Sequence, residues 1–320
     1  MPNSLYDASC GCWLTRRNVT TKAHSGVDLA ERYLELRLEG VFLAGGIQIA
    51  GSQHCSKANG SSMDLSTNIC DLKVVVATHK SYWVPEDPAY YPVHVGSFDK
   101  NSIRGFQRDD VGDNISVKNP NYCELTGLYW AWKNLEAGYL GLAHYRRHFA
   151  SKCFGEKKSR VATGKQLLEA AAISGIVLPK ARRYYIETNY SQYVHAHHSE
   201  DLEITRDIIA EQDASLLRKY DEVMDRTYGH RFNMFIMRRD LADAWCEWLF
   251  GLLSELESRL DIGDYSSNDA RVFGFVAERL IDIWIEGNGL AYAEMQVVNL
   301  ENQHWFKKGL SFLRRKAAGK

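Results

Sequence analysis

Short β-branched apolar runs alternate along this chain with longer stretches in which apolar residues recur every three or four positions. That alternation is the pattern of an α/β sheet crossed by helices. Residues 72–77 (Leu-Lys-Val-Val-Val-Ala) read as a buried parallel strand. Residues 139–143, 176–178 and 232–237 read as further strands, and 291–298 as a short one. Helices are expected over 122–136, where Leu125, Leu128, Tyr129 and Trp132 share a face, and over 202–211, 241–260 and 273–284. The stretch 82–96 carries Pro85, Pro88 and Pro92 and reads as loop, as does 190–198, which is dense in Tyr and His. The expected fold class is α/β, one domain over residues 71–300 with a mainly parallel sheet flanked by helices. Residues 1–70 are rich in Ser, Gly and Asn with one helical pattern over 27–38, and read as an appendage; residues 301–320 form a basic and aromatic tail.

The second strand carries the clearest chemistry. It runs apolar through Ala143 and ends in His144-Tyr145-Arg146-Arg147-His148. Strands of this kind deliver side chains to the carboxyl edge of a sheet, where open α/β folds bind ligands. Fixed positive charge there calls for an anion, and the planar guanidinium fork suits phosphate. The polar turn Thr78-His79 after the first strand belongs to the same edge, so Thr78, His79, His144, Arg146 and Arg147 are candidates for a diphosphate site; a strand end whose charges merely reach water is the plainer reading. Asp109, Asp110 and Asp113 crowd a loop with Asn114 and Lys118, a group suited to a hard cation, to a general base, or to an ordinary solvated turn. His195, His197 and His198 share one loop, where contact with substrate or solvent is a simpler role than zinc ligation. Glu278-Arg279 lies on an otherwise apolar helix and must be paired or face a cleft.

Composition narrows the setting. A net charge of -1 gives no bulk attraction to nucleic acid. Seven cysteines, an odd number without a CxxC pair, fit a reducing compartment, and Cys10-x-Cys12 is a poor zinc spacing. No apolar run reaches membrane-spanning length, and the N-terminus lacks the layout of a secretion signal. A cytoplasmic protein, soluble or peripheral on the inner face of the membrane, is expected. Residues 305–316 (Trp-Phe-Lys-Lys-Gly-Leu-Ser-Phe-Leu-Arg-Arg-Lys) have the composition of an interfacial helix on anionic lipid, or of a capping helix with a solvated basic end.

Several blocks recur in an order that resembles a known family. Asp109-Asp110-Val-Gly-Asp113-Asn114-Ile-Ser-Val-Lys118-Asn-Pro-Asn-Tyr122-Cys-Glu124-Leu-Thr-Gly-Leu-Tyr129-Trp-Ala-Trp132 is followed by Gly141-Leu-Ala-His144-Tyr-Arg146-Arg147-His-Phe149, then Asn233-Met-Phe-Ile-Met237 and Gly274-Phe-Val-Ala-Glu278-Arg279-Leu280. The chain is similar over about residues 71–300 to bacterial capsular and exopolysaccharide-synthesis glycosyltransferases long catalogued only as a domain of unknown function, with galactosyl transfer among the members. The resemblance implies a single nucleotide-binding domain like the GT-A glycosyltransferase architecture. It implies transfer of a hexose, galactose first, from a UDP-sugar to a lipid-linked acceptor for capsule, O-antigen or exopolysaccharide, with the anionic inner-membrane surface as a further partner. Thr78, His79, Asp110, Asn114, Lys118, His144, Arg146 and Arg147 would hold the donor, His195, Asn233 and Arg279 the acceptor, and Glu278 (Asp113 as second choice) would be the base. Such enzymes place a carboxylate pair for a divalent metal after a middle strand. Here that strand ends in His144-Tyr145-Arg146-Arg147, so no cofactor is expected to be required, with manganese or magnesium on the 109–113 loop as the alternative. A nucleotide-sugar hydrolase or phosphotransferase and a non-catalytic glycan-binding module, which would use the eight Trp and seventeen Tyr, are the competing classes.

Overall fold

A computed structural model describes residues 71–301 and the backbone of two short strands near the N-terminus, β1 (Ser4–Asp7) and β2 (Cys12–Thr15), which pair antiparallel. The chain divides into two compact units, residues 1–17 with 70–320, and residues 18–69. The second unit, with the helix expected over 27–38, lies outside the described residues, as does the tail expected over 301–320 beyond Glu301.

The remaining strands are β3 (Leu72–Thr78), β4 (Tyr90–His94), β5 (Gln107–Arg108), β6 (Tyr139–His144), β7 (Arg147–Ala150), β8 (Ile176–Pro179), β9 (Arg182–Arg183), β10 (Tyr228–Gly229), β11 (Phe235–Arg238) and β12 (Ala293–Asn299). Eight of them form one sheet in the order β11-β8-β12-β7-β6-β3-β4-β5, and β9 and β10 form a separate antiparallel ribbon. The sheet is mixed, not mainly parallel. β5, β4, β3 and β6 run parallel, but β7 reverses after a two-residue turn at Tyr145-Arg146 and pairs back with His144 opposite Arg147. β12 runs antiparallel to β7, β8 parallel to β12, and β11 antiparallel to both β8 and β6. The sheet therefore forks at β6, with β7 beside its carboxyl end and β11 beside the rest, and β6, β7, β12, β8 and β11 close into a ring. The β3 valines Val74, Val75 and Val76 are completely buried. Gly141 stands where β11 crosses β6; a Cβ there would lie 2.4 Å from the Ile236 side chain and 3.0 Å from the Phe235 carbonyl.

The helices are α1 (Asn119–Tyr122), α2 (Leu125–Asn134), α3 (Gly164–Ala171), α4 (Asn189–Val194), α5 (Glu200–Gln212), α6 (Ala214–Met224), α7 (Arg239–Arg259) and α8 (Val272–Gly287). Four details depart from the sequence reading. The helix expected over 122–136 is broken at Cys123, whose φ of 53° is left-handed, and Asn119 Nδ2 bridges the break to the Cys123 carbonyl at 2.7 Å. Residues 190–198 include a helix, because Thr188 and Ser191 form a reciprocal capping box. The proline-rich 82–96 segment contains β4, with Pro92 beside β3; β5 begins to pair only at Val93, so the missing N–H breaks no ladder bond. The strand expected from 232 starts at Phe235, because Phe232 and Asn233 both take left-handed backbone.

Two buried polar knots hold this frame. Asp109, fully buried, accepts the backbone N–H of Gly96 at 2.8 Å and of Ser97 at 2.9 Å, and the hydroxyls of Ser97, Ser116 and Thr126 at 2.9, 2.5 and 2.7 Å. It ties the end of β4 to the start of α2. His230, also buried, sits between Asp282 on α8 and Glu294 on β12, its Nε2 being 3.0 Å from Glu294. Burial alone would lower its pKa, but the two carboxylates outweigh burial and raise it to about 9.

Asp109→Ala strips the partner from five donors and is expected to cost at least ~3 kcal/mol, since each bond to a charged group contributes roughly 1.5–3 kcal/mol and the set is not additive. Urea unfolding checks it, and a loss below 1 kcal/mol (on the same scale) would contradict the knot. His230 stabilises the fold through its charged form. With a folded pKa raised to about 9, that contribution is complete below the free-imidazole value near 6.5 and is lost as pH climbs through 9. The stability gap between wild type and His230→Gln is expected to narrow across that window, and a gap independent of pH would refute the assignment.

Candidate active site

β3 and β6 end side by side at the carboxyl edge of the sheet, Ala77 opposite His144. Buried Thr78 spends its hydroxyl on its own turn, donating to the Lys80 carbonyl at 2.6 Å. That turn projects His79 and Lys80 over the Tyr145 ring, His79 at 5.3 Å between centroids and the Lys80 ammonium at 5.1 Å. The Arg146 guanidinium stands 5.5 Å from the same ring. Burial lowers the His79 pKa, and the positive charges of Lys80, Arg146, Lys100 and Arg271 lower it further. Cations from four separate parts of the chain thus converge on one edge.

Arg146 reaches Glu301 only loosely, at 3.4 Å, and Arg147 stacks on Phe232 with its guanidinium carbon 4.6 Å from the ring. The Nε–H of each is buried and has no hydrogen-bond partner. Unsatisfied buried donors are uncommon in folded proteins and point to a missing acceptor. Burial lowers the Arg147 pKa and Arg146 adds to the effect, while the carboxylates of Glu278 and Glu124 oppose it. Even so a guanidinium stays protonated at neutral pH.

Glu124, at the corner between α1 and α2, accepts from Asn233 Nδ2 at 2.7 Å and lies 3.7 Å from His144 Nε2. Asn233 also donates to the Gly274 carbonyl on α8 at 3.0 Å, and His144 Nε2 contacts the Phe232 carbonyl at 2.5 Å. The left-handed pair Phe232-Asn233, with φ of 79° and 53°, aims these groups. Strained backbone at such a place costs of order 1–3 kcal/mol per residue and persists only where neighbours enforce it. Arg271 caps the start of α8, and by their i, i+4, i+7 spacing Phe275 and Glu278 continue its side of the helix. Arg271 bonds the Cys123 sulfur at 3.2 Å, and Glu278 acts electrostatically on Arg147, Arg271 and Arg279. His197 stacks on Phe275 at 4.4 Å and holds Asp269 through Nδ1 at 3.0 Å.

Of the residues singled out from sequence, His79, His144, Arg146, Arg147, Asn233 and Glu278 come together, with Thr78 shaping the turn behind them. The others are engaged elsewhere. Asp113 meets Tyr129 and Asn134 at the far end of α2, roughly 15 Å of helix away from Glu124. Asp110 pairs with Arg108 at 2.5 Å, which holds its carboxyl below the usual range, and Asn114 bonds within its own loop. Lys118 pairs with Glu257 at 2.6 Å. Exposed His195 pairs with Glu187 at 2.7 Å, so His197, two positions along, is the imidazole nearer the site. Arg279 is buried against Tyr193 and donates to Gln192 and to its own helix, with its Nε–H also left without a partner. Sequence reasoning passed over Lys80, Lys100, Glu124 and Arg271, and weighed His197 only together with its loop neighbours. Glu124 alone carried a signal, a carboxylate just before a helix in the longest motif block. In the 109–113 loop, Asp109 and Asp110 are engaged by other donors. No cluster of three potential ligands occurs among the described residues.

Two comparisons bear on this arrangement, and a search of functionally curated proteins finds no match. The solved apo structure of WbbM, a bifunctional glycosyltransferase, is similar with a TM-score of 0.68 and 30% identity, covering 72% of this chain. The chain spans 46% of that protein's length. Residues 73–289 match the model of a domain of unknown function, DUF4422. These residues make up most of the chain and contain the edge just described apart from Glu301. The chain belongs to the DUF4422 family.

Proposed function

We propose that this protein is a glycosyltransferase that moves a hexose, galactose as the first candidate, from a UDP-sugar to a lipid-linked surface-polysaccharide acceptor on the cytoplasmic face of the membrane. The observation that carries the reading is the pair of buried, partnerless guanidinium Nε–H groups of Arg146 and Arg147 at the carboxyl edge. Similarity to a glycosyltransferase at 30% identity supports it. No helix among the described residues is long and apolar enough to cross a membrane.

The donor diphosphate lies against Arg146 and Arg147, with Lys80, Lys100 and His79 beside it. As the bond from the sugar's anomeric carbon to the diphosphate oxygen breaks, the electron pair leaves with UDP. The preorganised cations stabilise that charge where it develops. Glu278 takes the proton from the acceptor hydroxyl as the new glycosidic bond forms. Glu124 holds Asn233 and lies beside His144. This chemistry routes no step through a metal, which agrees with the occupied carboxylates of the acidic loop.

The deciding experiment is a panel of nucleotide sugars assayed for UDP release with and without a lipid-linked acceptor, in excess EDTA. Acceptor-dependent release that survives EDTA is expected. Release that ignores the acceptor would indicate a hydrolase, and abolition by EDTA with rescue by manganese would sink the metal-free reading. Arg147→Ala is expected to weaken donor binding or turnover at least tenfold, given ~1.5–3 kcal/mol for a hydrogen bond to a charged group. Glu278→Gln should lower kcat by roughly 10²–10⁴ while leaving UDP affinity intact. Wild-type kinetics in either folded variant would reject its role.

A further inference from the structure

The segment Lys180-Ala181-Arg182-Arg183-Tyr184-Tyr185-Ile186 plays no part in the proposed chemistry, yet it is built to stand out from the protein. Tyr185 and Ile186 are 83% and 89% exposed, although neither is of a type that favours water. They are also not loosely held. Arg182 and Arg183 form the β9–β10 ribbon with Gly229 and Tyr228, the Tyr184 N–H donates to Thr227 at 2.7 Å, and the Ile186 N–H closes a tight turn onto Tyr184 at 2.8 Å. Tyr185 takes a φ of 65°, a left-handed conformation that is strained for an aromatic residue and turns the tip outward. Lys180, Arg182 and Arg183 are exposed beside it, and neither arginine pairs with a carboxylate among the described residues. Glu187, the acid within the segment's end, is taken up by His195.

The position of this tip follows from strand direction. β8 runs parallel to β12, β12 antiparallel to β7, and β7 antiparallel to β6, so β8 and β6 end at the same edge. The ribbon leaves β8 three residues after Pro179. Buried Arg231 then links it to the site, donating to the Tyr184 hydroxyl at 2.9 Å and to the Glu278 carbonyl at 3.4 Å. An exposed apolar tip with a cationic collar therefore rims the edge where the guanidinium pair sits.

We propose that the Tyr185-Ile186 tip inserts into the interfacial region of an anionic lipid bilayer, with Lys180, Arg182 and Arg183 on its headgroups. A protein partner would need roughly 800 Å² of complementary surface per side, far more than two side chains offer. A bilayer needs no complementarity, only apolar groups to bury and cations to set against its negative charge. The contact turns the carboxyl edge of the sheet toward the lipid. It adds a specific surface to the reading of a lipid-linked acceptor but does not need the donor assignment to be correct.

The test is co-sedimentation of the full chain with vesicles of equal parts phosphatidylglycerol and phosphatidylethanolamine, and with phosphatidylcholine alone. Binding to the anionic vesicles, weakened by salt, is expected, with little to the neutral ones. Arg182→Ser with Arg183→Ser should weaken it about 25-fold, at roughly fivefold per cation near such a surface. Tyr185→Ser with Ile186→Ser should weaken it roughly tenfold or more. UDP affinity and thermal midpoints in the same variants should match wild type. Vesicle binding that is absent in wild type, or unchanged in both double variants, overturns the proposal; in the second case a soluble glycan or residues 302–320 would be the tip's partner or the membrane's. Loss of UDP binding in wild type would refute the donor site and leave the vesicle result standing.

Discussion

The two-residue turn at Tyr145-Arg146 is the constraint on which the site depends. It reverses the chain at the edge of the sheet, sets His144 opposite Arg147, and brings two guanidinium groups to one place. Like charges at this separation repel, more strongly as water is removed. The fold meets that cost with three carboxylates from distant segments, Glu124, Glu278 and Glu301, and with the faces of Tyr145 and Phe232. Arg146 meets Glu301 through Nη1 at 3.4 Å, and the Nε–H groups of both arginines are left without acceptors. The result is an edge held together well enough to fold and still short of negative charge.

Much of the frame was legible in the chain because it rests on local patterns. The β3 valines, the 3.6-residue spacing of α7 and α8 and the apolar run into His144 all lie where periodicity places them. What escaped was set by a local cap or by tertiary contacts. Residues 189–194 form a helix through a Thr188–Ser191 capping box, and Phe232-Asn233 leave the strand because Glu124 and Gly274 hold the Asn233 side chain. The sheet's mixed direction was hidden for a related reason. A run such as 293–299 gives no sign of which neighbour it will join, and a parallel reading is the default where helices intervene.

The acidic loop shows how composition misleads about a site. Three aspartates within five positions read as a cation cage, yet each has a different occupation. Asp109 organises backbone at the end of β4, Asp110 clamps Arg108, and Asp113 closes the far end of α2. Carboxylates are good at satisfying N–H groups in tight loops, and a loop that needs several such bonds will look acidic whatever it binds. Glu124 is the opposite case, a single acid with an unremarkable neighbourhood in sequence that structure places at the centre.

Helix α8 has a consequence of its own. Its Glu278 turn faces the guanidinium pair, and one turn later Asp282 is locked to His230, whose backbone leads directly into Phe232 and Asn233. Glu278, the proposed base, and the Phe232-Asn233 pair are thus mounted beside the same buried imidazolium. Once that imidazolium gives up its proton, the mounting loosens at both ends together. An alkaline limb in the pH–rate profile of this protein would then report the integrity of a joint in the scaffold and not the ionisation of a group at the carboxyl edge.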